Sequence, residues 1–119
     1  MSAKQTVGFV GLGKMGEPIA RRIMEQGFPL VIHDAVPAAV ARFAGSKALV
    51  QPSATAVADA SDVVVVCLPT PDIVRAVVIG AGGVADGSRA KFVIDISTTG
   101  PRIAREMAEA LAKKGKTFI

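Results

Sequence analysis

The sequence predicts an α/β protein: a doubly wound parallel sheet of strand order 3-2-1-4-5-6 with helices on both faces. Three observations predict it. Strand-like and helix-like segments alternate along the whole chain, the pattern of parallel strands joined by helical crossovers. Residues 63–68 (VVVVCL) are apolar without alternation, as a strand covered on both faces requires. A glycine-rich segment, Gly11-Leu12-Gly13-Lys14-Met15-Gly16, joins the first strand to the first helix. The composition agrees. Half of the 119 residues are hydrophobic, and they are mostly small, with 20 Ala and 16 Val and neither Trp nor Tyr. Small side chains suit helices packed closely on a buried sheet. For the chain's 12.2 kDa, the folded surface should be about 6,000 Å² against about 18,000 Å² unfolded, enough burial for a core without disulfides or metal.

The elements follow in order. Residues 6–10 form an apolar run that ends in the glycine turn and reads as the first strand. Met15, Ile19 and Ile23 recur at four-residue spacing and predict a helix over residues 14–26. Gly27 ends it, where a left-handed residue is needed, and Pro18 is tolerated in the first turn, where its missing N–H has no helical partner. Residues 30–33 are the second strand, closed by Asp34; residues 37–44 are a short helix opened by Pro37 and followed by Gly45. Residues 48–50 are a short third strand, and Ser53 caps a helix running to Ala60. The fourth strand spans residues 63–68, a helix spans 71–78, a glycine-rich loop with room for one short turn spans 80–87, and the fifth strand spans 91–96. Pro101 opens the last helix, with Ile103, Met107 and Leu111 on one face; Gly115 closes it and residues 117–119 begin a sixth strand. With no repeat, low-complexity stretch or linker, residues 1–119 read as one domain.

The composition also excludes function classes. One cysteine, Cys67, allows no internal disulfide and no cysteine-based metal site, and one histidine, His33, allows no multi-histidine site; no metal is expected. The net charge of +4 is spread over scattered basic residues without interleaved aromatics; apart from the Arg21-Arg22 pair, only Lys113, Lys114 and Lys116 cluster. That distribution serves solubility and attracts phosphates mildly; it does not make a nucleic-acid surface. No segment approaches the ~20 apolar residues of a membrane span, and the N-terminus lacks a signal peptide's apolar stretch. A cytoplasmic protein is expected.

The glycine segment is a phosphate-loop motif, because it follows a strand, opens a helix, and is succeeded by Asp34 at the end of the next strand. Gly11 permits the tight turn, Gly13 lets the backbone approach a pyrophosphate, and Gly16 allows close helix-on-strand packing. The helix N-terminus offers free N–H groups and partial positive charge to the phosphates. A carboxylate at Asp34 accepts from an adenosine ribose and repels a 2′-phosphate, so NAD is favoured over NADP; the next residues, Ala35 and Val36, bring no arginine. The bland alternatives are a plain strand-to-helix turn and a solvated aspartate at a strand end. Across the crevice, Cys67-Leu68-Pro69-Thr70-Pro71 forms a stiff loop after strand four, with Cys67 read as buried and inert and His33 as a packing or surface residue. The hydroxyls of Ser97, Thr98 and Thr99 either cap the last helix or point into the crevice, and position alone does not choose between them.

Taken together, GFVGLGKMGEPIARRI, HDAVPAAVARF, DVVVVCLPTPDIV and VIDISTTGPRIAREMAEALAKKGKTFI resemble the Rossmann-type cofactor-binding half of the β-hydroxyacid dehydrogenases, which include 3-hydroxyisobutyrate, tartronate semialdehyde and 6-phosphogluconate enzymes. The resemblance runs from Thr6 to Ile119. It implies that Gly11, Leu12, Gly13, Lys14, Met15 and Gly16 bind the pyrophosphate and that Asp34 holds the adenosine ribose of NAD. It places Leu68, Pro69 and Ile73 against the cofactor and Thr98 near the nicotinamide and substrate. The Ser97-Thr98 pair matches the short-chain members, not the 6-phosphogluconate enzymes, which carry Gly-Asn there. The family continues into a substrate-binding Ser-Gly-Gly segment and a helical domain that supplies a catalytic lysine. Lys113, Lys114 and Lys116 do not match that lysine, so no catalytic residue is assigned. The resemblance therefore implies a domain that binds NAD but does not turn over alone. A small hydroxy acid would bind only with the further domain, in a parent that is a homo-oligomer. A naturally short non-catalytic dinucleotide module, or the cofactor domain of an imine or pyrroline-carboxylate reductase, are the competing readings.

Overall fold

A computed structural model describes residues 4–119. Strands β1 (Val7–Val10), β2 (Leu30–His33), β3 (Leu49–Val50), β4 (Val63–Val66), β5 (Phe92–Asp95) and β6 (Thr117–Phe118) form one sheet in the order β3-β2-β1-β4-β5-β6. Every pairing is parallel, with Val7 opposite both Leu30 and Val63 in the centre of the sheet. The crossovers are helices α1 (Gly16–Glu25), α2 (Pro37–Ala41), α3 (Ala54–Ala60), α4 (Pro71–Ile79) and α5 (Pro101–Ala112), and the loop before β5 holds a single 3₁₀ turn at Val84–Asp86. The accessible surface is 6550 Å², close to the size-based expectation.

Side chains leaving a strand alternate between faces, and the core divides accordingly. Val64 and Val66 of β4 join Val10, Val57, Val74, Val78, Met107 and Leu111 in one layer, under α3, α4 and α5. Val65 points the other way and packs with Phe9, Leu12, Ala20, Ile32 and Phe43, under α1 and α2. Both faces are covered, which is why β4 carries no polar alternation.

Several elements are shorter than the sequence suggests, each for a local reason. The fourth strand ends at Val66: Cys67 still donates to Val10 O (3.0 Å), but the Leu68 amide turns to Ser97 Oγ (2.8 Å). The fifth ends at Asp95, whose own carboxylate accepts from Ser97 N (2.8 Å) and bends the chain. At the start of the first strand, Thr6 donates its amide to Asp62 Oδ2 (2.8 Å) instead of the ladder. α1 begins at Gly16, because residues 13–15 are taken up by the turn itself, and α2 stops at Ala41, beyond which the chain runs on as tight turns to Gly45. The Ser53 cap is present, its Oγ accepting from Ala56 N at 3.0 Å.

Ion pairs hold four surface carboxylates below their ordinary range: Glu17 through Arg21 and then Arg42, Asp62 through Arg89, Asp86 through Lys114 and Glu106 through Arg75. A carboxylate whose folded pKa is depressed adds stability above its unfolded value, and that stability is lost as pH falls through the folded pKa. Melting temperature is therefore expected to hold steady down to about pH 5 and to fall below about pH 4, with a shallower fall in high salt. Thermal melts across a pH series, at low and high ionic strength, check both parts.

Candidate functional site

A crevice of about 850 Å³ opens at the carboxyl ends of the central strands, where β1 and β4 send their chains to opposite faces of the sheet. Its floor is the glycine turn. Gly11 has φ +102°, in the left-handed region, and a Cβ there would collide with the Cys67 carbonyl. A Cβ on Gly16 would fall on the Gly11 carbonyl and crowd the Phe9 ring of β1. Gly13 differs: a Cβ there would meet nothing within 4 Å, because it would stand in the open crevice. The amides of Gly13, Lys14 and Met15 donate to no acceptor among the described residues, while Glu17 N closes the turn on Gly13 O (2.9 Å). The turn is thus a concave set of free N–H groups at a helix N-terminus, backed by the space one side chain would occupy. That arrangement fits a pyrophosphate.

Asp34 leaves β2 at the rim of this turn, half-buried. Its Oδ2 accepts the Leu12 amide at 2.7 Å and its Oδ1 the Val36 amide at 2.8 Å. Each oxygen keeps a lone pair for a ligand. Beside it, His33 donates Nδ1–H to Gln51 O (3.0 Å), the partner being a carbonyl that can only accept.

The opposite wall comes from the loops after β4 and β5. Leu68 and Pro69 line the crevice, with Ile73 from the first turn of α4, which Thr70 caps through Ile73 N (3.2 Å). The open question about the three hydroxyls has a structural answer. α5 is capped by Gly100 without a side-chain bond; Thr99 instead donates to Asp95, Ser97 ties the two loops together, and Ser97 and Thr98 line the crevice. Cys67 lines it too, half-buried where the sequence reading expects it buried, and burial first, then the Asp95 charge, push its thiol up toward the protonated form.

Of the residues that the family resemblance sets against the cofactor, all but Leu12 line the crevice; Thr70, Pro71 and Thr99 of the two facing loops do not. The Leu12 side chain is buried in the core, and its amide and carbonyl are given to Asp34 and Arg42. The sequence reading missed Pro52, Ser53 and Ala54 at the start of α3, and Ala81 and Gly82 after α4, which extend the crevice beyond Asp34. It also missed a bracing network of Glu17, Arg21 and Arg42 behind the turn. The i,i+4 spacing of Glu17 and Arg21 was a usable signal; the Arg42 partner, 25 residues away, was not.

No helix among the described residues is long and apolar enough to cross a membrane. The chain is 34% identical over 120 residues to the mitochondrial 3-hydroxyisobutyrate dehydrogenase of Bos taurus, a match covering 100% of this chain and 36% of that protein. It therefore spans little more than a third of the length of the curated relatives it matches. Among solved structures, Mycobacterium tuberculosis 3-hydroxyisobutyrate dehydrogenase with L-serine superposes at a TM-score of 0.86, with 29% identity, covering 98% of this chain and 39% of that one. Psf3, solved with NADP+ and 2-OPP, also superposes at 0.86, with 27% identity, covering 95% and 40%. Residues 6–119 match the family described as the NAD binding domain of 6-phosphogluconate dehydrogenase, and the chain belongs to that family.

Proposed function

We propose that this chain is the cofactor-binding domain of an NAD-dependent dehydrogenase that moves a hydride between a small 3-hydroxy acid, of the 3-hydroxyisobutyrate type, and the nicotinamide. The observation that carries the cofactor reading is the pairing of the free Gly13–Met15 amides with the Asp34 carboxylate on one rim of the crevice. The amides bind the pyrophosphate, and Asp34 accepts from the adenosine ribose and rejects a 2′-phosphate. Leu68, Pro69 and Ile73 hold the cofactor's other half from the far wall, and the exposed Thr98 hydroxyl stands where nicotinamide and substrate meet. When bound, the nicotinamide supplies the hydride acceptor at C4.

The substrate hydroxyl also needs an acid–base group. The titratable side chains lining the crevice are Lys14, His33, Asp34 and Cys67. The first three sit at the pyrophosphate and ribose end, and the Cys67 thiol is held protonated. Lys116 is buried against Ala90 O (2.6 Å), and Lys114 is paired with Asp86, both at the amino end of the sheet, opposite the crevice. The 119-residue chain alone should therefore bind cofactor without turnover. Calorimetric titration is expected to show NAD binding more tightly than NADP, and no oxidation of 3-hydroxyisobutyrate above buffer background. Equal affinity for both cofactors overturns the assignment of Asp34; failure to bind either overturns the dinucleotide reading; turnover by this chain overturns the division of labour.

A further inference from the structure

The wall of the phosphate turn that faces away from the crevice is built as carefully as its floor. Arg42, just past α2, donates Nη2–H to the Leu12 carbonyl (2.8 Å) and Nε–H to Glu17 Oε1 (2.6 Å). The other Glu17 oxygen accepts from Arg21 Nε (3.0 Å), and Arg21 Nη2 returns to the Arg42 carbonyl (2.7 Å), its guanidinium lying 4.5 Å from the Phe43 ring centroid. The ring of bonds is closed, and none of these three side chains lines the crevice. Glu17 grips the turn twice: its own amide holds Gly13 O, and its carboxylate holds the arginine that holds Leu12 O.

The consequence lies in one peptide unit. In a trans peptide, the carbonyl of Leu12 and the N–H of Gly13 point in opposite directions, and there is no cis bond among the described residues. With Leu12 O drawn back to Arg42, Gly13 N–H must face forward into the crevice. Nothing local enforces this, because reversal of a peptide unit is cheapest where the next residue is glycine. The reversed unit would put a carbonyl oxygen where the phosphates sit and remove a donor. We infer that Arg42, pinned by Glu17, is a positioning residue that locks the Leu12–Gly13 peptide with its N–H aimed into the crevice. The phosphate part of this inference rests on the function proposed above; the lock itself does not.

The test uses the whole chain with Arg42→Met, which keeps the apolar stem and removes the donors, and Arg42→Lys, which restores one donor. Probes are NAD, ADP and adenosine, with amide relaxation-dispersion NMR at Gly13. Arg42→Met should weaken NAD and ADP about tenfold, the loss of one hydrogen bond to a charged group's worth of preorganisation, and leave adenosine unchanged. Gly13 should gain microsecond-to-millisecond exchange that is absent from the unmutated chain, and Arg42→Lys should recover part of both effects. Equal weakening of adenosine and NAD would mean a general structural role and overturn the inference. So would a quiet Gly13 amide with unchanged NAD affinity in Arg42→Met, or, should that variant not fold, no difference from the unmutated chain in Arg42→Lys. Exchange at Gly13 in Arg42→Met, with no dinucleotide binding even to the unmutated chain, would support the lock and remove the cofactor reading.

Discussion

Gly11→Ala is expected to destabilise the domain by about 3–5 kcal/mol, enough to leave much of it unfolded at 37 °C. Two costs combine. The backbone at Gly11 has φ +102°, which an L side chain adopts only under strain, and the new methyl would drive into the Cys67 carbonyl, main-chain structure that cannot swing aside. Gly16→Ala is the sharper test of the same idea. Gly16 is helical, so propensity alone favours alanine there by about 1 kcal/mol. The methyl would nevertheless fall on the Gly11 carbonyl and press on the Phe9 ring, and the net change should be a loss of stability. Gly13→Ala should behave oppositely. Its φ is not in the left-handed region and its methyl meets no protein atom, so stability should change by less than about 1 kcal/mol while NAD affinity falls steeply. Urea denaturation and cofactor titration on the three variants separate the glycines. A stable Gly11→Ala chain, or a Gly13→Ala chain that binds NAD normally, would sink this division between glycines that serve the fold and one that serves the ligand.

That division was legible in the sequence as a motif, because its three glycines do mechanically different things at fixed spacing. The fold was legible for a related reason. Apolar runs set against a 3.6-residue helical repeat, with glycine and proline as punctuation, specify each element locally, and a parallel sheet follows from their alternation. What escaped was the choice of partner made by polar side chains, some near in sequence and some far. The ends of the fourth and fifth strands depend on Ser97 and Asp95 side chains capturing amides, and no propensity distinguishes a threonine that caps a helix from one that bonds back to Asp95. Arg42 looked like one scattered cation among many, although the fold carries it across to Glu17 and Leu12. Leu12 sits inside the glycine motif, yet its side chain belongs to the core and its polar groups are already taken. A motif names a segment; the fold decides which of its atoms are left for a ligand.

Asp34 shows the same point in one side chain, and it carries the second large effect. Its carboxylate is expected to serve the turn and the cofactor at once: one lone pair of each oxygen is spent on the Leu12 and Val36 amides, and the others face the ribose site. Asp34→Ala should therefore orphan the part-buried Leu12 N–H, leave the exposed Val36 N–H to water, and cost about 1–2 kcal/mol of stability. It should also remove the negative charge that repels a 2′-phosphate, so the preference for NAD over NADP should shrink by about tenfold or more. Asp34→Asn divides the two roles. It keeps one acceptor oxygen and replaces the other with a donor, which opposes whichever amide it faces, so much of the stability cost should remain while the charge is lost. The decisive comparison is the ratio of NADP to NAD affinity in the three chains, measured beside their urea midpoints. If the ratio moves toward unity in both variants while stability falls most in Asp34→Ala, the carboxylate reads the ribose through its charge. If the ratio stays fixed while stability falls, Asp34 holds the turn and selects nothing, and selection between the cofactors must lie with the residues that line the crevice beyond it, at Val36 and Pro52–Ala54.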